Sequence, residues 1–171
     1  MLEPPIPLEY RTSQQVSSQG HFKARRGRYY HTGVDLYTSP DAPVHAMADG
    51  VVVGVEKFTG PDQHPGWRET MAVLVLHPFS WVDLAPGVVV YGEVDPMVVV
   101  GDPVTAGQQI ATVTPVLASG QERPDIEGHS RWMLHLEFHA EDVRHTYDWL
   151  VAEPEPSTLR DPYQLLALTQ L

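Results

Sequence analysis

Two stretches, His31-Thr32-Gly33-Val34-Asp35 and Met133-Leu134-His135-Leu136-Glu137-Phe138-His139, decide how the rest of the chain is read. A histidine and an aspartate four positions apart, joined by a distant histidine on a strand, form a ligand set for one divalent metal ion. Imidazole nitrogen and carboxylate oxygen both suit zinc, and three protein ligands leave a fourth position for water. In the second stretch Leu134, Leu136 and Phe138 alternate with Met133, His135, Glu137 and His139, the period of a strand with one face on a core. The other face then lines up two histidines and a glutamate. Val34 and Leu36 flank Asp35 in the same alternation, so His31 is expected to enter a strand that carries Asp35. Their even separation puts both on one face, helped by a bend at Gly33.

Outward from these stretches the chain is punctuated by turns between short apolar runs. Asp49-Gly50 lies between Val44-His45-Ala46-Met47 and Val51-Val52-Val53, a pattern that predicts a hairpin. Strand signals recur at 71–76 and 87–91, and 98–113 reads as strand, turn, strand around Gly101-Asp102 and Ala106-Gly107. Phe58 to Thr70 is a polar loop long enough to border a groove. Asp161-Pro162 before Leu165, Leu166 and Leu168 predicts a short C-terminal helix docked through its leucines. The expected fold is mainly β, an antiparallel sheet and hairpin architecture with that one helix. The expected organisation is an irregular arm over 1–29, a β domain over 30–150, and a linker and helix over 151–171.

The composition is globular, with 42% hydrophobic residues in 171, and 13 glycines and 16 prolines favour strands and turns. A net charge of −11 with two lysines, Lys23 and Lys57, argues against a nucleic-acid-binding face. Basic residues do gather at Lys23, Arg25, Arg26 and Arg28, read either as a solvated loop or as an anchor for an anionic substrate. Without cysteine, disulfides and thiolate metal sites are excluded. No apolar run approaches the ~20 residues of a membrane span, and the first residues lack the basic and apolar regions of a secretory signal. The expectation is a cytoplasmic protein unless a dedicated export route or a phage particle carries it. Oligomeric state is left open.

The order of motifs resembles the lysostaphin-type zinc endopeptidases that cut peptidoglycan cross-bridges. His31-Thr32-Gly33-Val34-Asp35 followed by Pro43 to Val52 is similar to the opening of that family. Tyr91-Gly92-Glu93 with Val100 to Gln108 resembles its central segment, and Leu134-His135-Leu136-Glu137-Phe138 resembles its last motif. The resemblance spans about residues 28–140. It implies the family's β fold, one zinc ion held by His31, Asp35 and His135, and a peptide or peptidoglycan substrate. The family usually has histidines where this chain has Glu93 and Met133, and those histidines are thought to polarise the attacking water and steady the tetrahedral intermediate. A rival register makes His135 the helper and Glu137 the ligand; the leucine before His135 and the glutamate two after it favour the first.

The chemistry that remains centres on Glu93, a carboxylate able to act as general base. Glu137 is placed to orient a metal-bound imidazole, and His129 or His139 is a candidate for the missing donor. The first functional reading is therefore a zinc metallopeptidase acting on wall stems or cross-bridges. The second is a non-enzymatic module that keeps the fold and binds zinc, a wall peptide or a protein partner. The hairpins also resemble biotinyl and lipoyl carrier domains, but neither lysine lies at a hairpin tip.

Overall fold

The computed structural model describes residues 2–12, 16–80, 83–118, 120 and 130–169. A short ribbon comprises β1 (Arg25–Arg26) and β2 (Tyr29–Tyr30), followed by β3 (Val34–Tyr37) and β4 (Pro43–His45). Next come β5 (Gly50–Lys57), β6 (Met71–His77), β7 (Gly87–Pro96), β8 (Pro103–Val104) and β9 (Gln109–Val113). The chain closes with β10 (Met133–Ala140), β11 (Trp149–Leu150), β12 (Leu159–Arg160) and α1 (Tyr163–Leu166). This is the mainly β, antiparallel architecture expected, with one short helix. The Asp161 carboxylate accepts the Tyr163 N–H at 2.9 Å, and Leu165 is fully buried.

The large sheet runs β12-β10-β7-β6-β5-β8, with β3 on β10, and β9 between β7 and β4. Its two faces differ. Leu134, Leu136 and Phe138 join Val73, Val75, Val89, Tyr91 and Val34 in the main core. The opposite face carries Ala72, Leu74, Val88 and Val90, covered by Phe58 and Leu76. Register places His135 against Gly92, Glu137 against Val90 and His139 against Val88, so the polar residues of β10 lie on this second face. They are nonetheless buried, because Thr32 and Tyr147 reach over them. Leu2 and Ile6, near the chain's start, are also buried in the main core.

Three local expectations change. His31 precedes β3 instead of entering it; its N–H donates to Ala24 O and its carbonyl accepts from Lys23 N, so it extends the β1–β2 ribbon. The bend falls at Gly33, where the chain passes from ribbon to sheet. Asp49-Gly50 does not close a hairpin: β4 pairs with β9, whereas β5 pairs with β6 and β8. Long-range partners hold the crossover instead. The Met47 N–H donates to Tyr91 OH at 3.0 Å, the Ala106 N–H to Asp49 Oδ1 at 2.9 Å, and His77 Nδ1–H to Asp49 O at 3.0 Å. Finally, Val99 and Val100 are exposed and outside any strand; only 103–104 and 109–113 of that segment pair.

Candidate metal centre

β3 and β10 pair with Asp35 opposite His135, and the Gly33 bend brings His31 onto the same spot. His31 Nε2, Asp35 Oδ1 and His135 Nδ1 form a nearly equilateral triangle with edges of 3.0, 3.0 and 3.1 Å. Tetrahedral zinc with bonds of 2.0–2.1 Å spaces its ligand atoms about 3.3 Å apart, so the donor set and its spacing fit such an ion. All three residues are buried.

Each ring is turned by a partner on its far side. His31 Nδ1–H donates to His21 O at 2.9 Å, leaving the Nε2 lone pair for the cluster. His135 Nε2–H donates to Glu137 Oε1 at 2.8 Å, which turns Nδ1 towards the cluster, where a metal ion would take the place of its proton. Such partners set tautomer and ring orientation in metal sites. Glu137 also accepts from Thr32 Oγ1 and, at 2.8 Å, from His139 Nε2. The chain continues outward, Tyr147 OH donating to His139 Nδ1 at 3.1 Å and Thr158 Oγ1 lying 2.8 Å from Tyr147 OH.

The charges follow from this wiring. Burial opposes ionisation of Glu137, yet the donors from His135 and His139 hold it well below the usual carboxylate range. Asp35 is likewise held low against burial, by the His31 charge, by hydrogen bonds from both imidazoles and by Arg26. Burial lowers His31, against the opposing pull of the Asp35 carboxylate. At His135 burial is outweighed by Asp35 and Glu137, which raise the imidazole to about 10. The cluster thus attracts positive charge to the point where its three atoms meet.

Glu93 flanks this point through Gly92, the register partner of His135. It is the extra residue at a bulge between Gly92 and Val94, where β7 passes from β10 to β9. Its φ of 63° is left-handed, costing a non-glycine residue about 1–2 kcal/mol. It is 7% exposed, and its carboxylate makes no hydrogen bond among the described residues. Burial and then the Asp35 charge push it up to about 8.

Of the other expected site residues, His139 has both ring nitrogens engaged by Glu137 and Tyr147 and offers no donor to the cluster. His129 lies outside the described residues. Glu137 faces the far edge of the His135 ring, so the atoms that converge are those of the register with His135 as ligand. Arg26 emerges from the basic cluster: one Nη2–H donates to Asp35 Oδ2, the carboxylate oxygen outside the triangle, and Nε–H donates to Gln19 O at 2.7 Å. Phe58 also joins, its ring 5.0 Å from that of His135. Arg26 belonged to the cluster read as a solvated loop or an anion anchor, but its tie to Asp35 was not legible locally, and Phe58 sits at the mouth of a loop.

Residues 29–146 match the model of peptidase family M23. The chain belongs to that family. A zinc-containing peptidase from Vibrio cholerae superposes on this M23 chain with a TM-score of 0.50 at 22% identity, covering 87% of this chain and 39% of its own. The solution structure of lysostaphin gives 0.48 at 20%, covering 91% and 56% respectively. This M23 chain therefore spans less than two thirds of either solved chain. No curated protein matches the sequence. The Vibrio likeness shows the fold, and no helix among the described residues is long and apolar enough to cross a membrane.

Proposed function

We propose that this chain is a zinc-dependent endopeptidase of peptidoglycan stems or cross-bridges, with His31, Asp35 and His135 as ligands and Glu93 as general base. One observation carries the reading: two imidazole nitrogens and a carboxylate oxygen converge to 3.0–3.1 Å in a buried site, each imidazole oriented from behind. Bound there, zinc supplies Lewis acidity that polarises a peptide carbonyl and lowers the pKa of water to ~7. Glu93 takes a proton from the attacking water as its oxygen bonds to the carbonyl carbon. It returns that proton to the amide nitrogen as the C–N bond breaks, leaving a carboxylic acid and an amine. A carboxyl raised to about 8 is a stronger base than an ordinary carboxylate, and cleavage is expected to rise with pH towards that value as the ionised form that takes the proton becomes populated. The strained backbone at Glu93 supports a role that outweighs its cost, since such conformations persist where function requires them.

The test is cleavage of cross-linked wall peptides by zinc-loaded protein. Glu93→Gln is expected to lose ~10²–10⁴-fold in kcat with zinc content unchanged, and His135→Ala to lose both zinc and cleavage. Activity surviving Glu93→Gln overturns the base assignment. A zinc-holding wild type that cleaves nothing across a panel of wall peptides points instead to a binding module.

A further inference from the structure

Hydrolysis of an amide passes through a tetrahedral centre whose oxygen carries negative charge, and stabilising that charge calls for hydrogen-bond donors already in place. Among the described residues, few donors around the His31–Asp35–His135 cluster are uncommitted. The ring nitrogens of His31 and His135 are spent on the cluster, on His21 O and on Glu137. Thr32 Oγ1–H is spent on Glu137, Phe58 offers none, the Asp35 carboxylate is an acceptor, and the proton that Glu93 takes from water is committed to the leaving nitrogen.

Arg26 is different. A guanidinium has five N–H donors in a rigid plane. One Nη2–H meets Asp35 Oδ2 and Nε–H meets Gln19 O, which leaves three without a partner among the described residues. Those two anchors hold the plane beside the ligand triangle, while the side chain keeps 36% exposure on its open side. Its charge is felt at His31, Asp35 and Glu93 alike. The support beneath it is firm: Arg26 pairs with Tyr29 in the β1–β2 ribbon, β11 pairs with β2, and Tyr30 packs on Trp149 with ring centroids 4.6 Å apart. The same ribbon carries His31 at its exit, so ligand and arginine are positioned by one element.

We infer that Arg26 is a catalytic residue of this site, donating its free N–H groups to the negatively charged oxygen of the tetrahedral centre. The inference rests on the peptidase reading for its chemistry but predicts a separate property, an anion-binding position beside the metal cluster. The probe is a phosphinic pseudodipeptide, whose PO₂⁻ group has the geometry and charge of that centre, titrated calorimetrically into zinc-loaded protein. Its uncleaved neutral counterpart serves as the control. Arg26→Gln is expected to keep wild-type zinc content, to bind the phosphinic probe ~10²–10³-fold more weakly, and to bind the neutral control within a few-fold of wild type. Arg26→Lys, which keeps the charge but loses the planar fork, is expected to recover part of that affinity. Unchanged phosphinic binding in Arg26→Gln overturns the inference, as does loss of zinc in both variants, which would make Arg26 only a positioning residue for Asp35. A wild type that fails to cleave peptides yet binds the phosphinic probe through Arg26 sinks the peptidase reading alone.

Discussion

A methyl group at position 33 would lie 2.5 Å from Leu136 O and 2.7 Å from His135 Nε2, closer than real carbons approach. Gly33 is therefore the clearance that lets the His135 ring pass beside the bend and still reach Glu137. Gly33→Ala is expected to tilt that ring, weakening zinc binding ~10–100-fold, as loss of an orienting contact does elsewhere. It should also cost about 1–3 kcal/mol through overpacking. Competition with a chromophoric chelator and urea unfolding measure the two effects; unchanged zinc affinity would show that the ring has room to spare. Gly92 plays the matching part on β7, where a Cβ would come within 2.7 Å of Phe58, the ring that covers His135. Glycine, histidine and aspartate at these positions could be read from the sequence as a set. Arg26 could not, because its partner Asp35 is reached only through the ribbon's fold.

At the scale of elements, β10 behaves as its alternation predicts, but its polar face is sealed and not solvated, and the seal is a hydrogen-bonded chain from His135 to Thr158. The crossover between β4 and β5 shows where local pattern misleads. Asp49-Gly50 has hairpin chemistry, yet β4 finds a better partner in β9 and the crossover is tied down by His77 and Tyr91. His77 is fully buried, and burial pushes its imidazole down to about 4. The folded state thus holds it neutral. Above the ordinary value of 6.5 both folded and unfolded chains are neutral there and the contribution to stability is complete. As pH falls from 6.5 towards 4 the unfolded chain takes up a proton that the folded chain refuses, so stability is lost, by about 3 kcal/mol at most. Urea unfolding midpoints across that window should fall with pH in the wild type, and more shallowly in His77→Gln. Parallel slopes would show that the loss lies with other groups.

For the whole molecule, the proposed metal links the ribbon, β3 and β10, which the folded chain alone brings together, so ion binding favours the folded state. Free zinc at 100 times its dissociation constant contributes about 2.7 kcal/mol, which for a chain of this size raises the melting temperature by about 5–10 °C. Scanning calorimetry with zinc and then with excess chelator reads this directly; the same melting temperature in both would argue against zinc at the cluster. What the sequence determined by itself was the strand character of β10, the mainly β class, the C-terminal helix and the residues that converge as His31, Asp35 and His135. The strand, the class and the helix follow from side-chain period and turn chemistry, which are local properties, whereas the choice of His135 over Glu137 came from the resemblance to the family's last motif. Only the tertiary structure decided that β4 leaves its neighbour for β9, that Arg26 reaches Asp35, that Glu93 sits buried and left-handed at a bulge, and that His139 stands behind Glu137. Each of these depends on which distant backbone a strand pairs with and in what register, and the alternation of apolar residues is the same for every partner that offers a matching face.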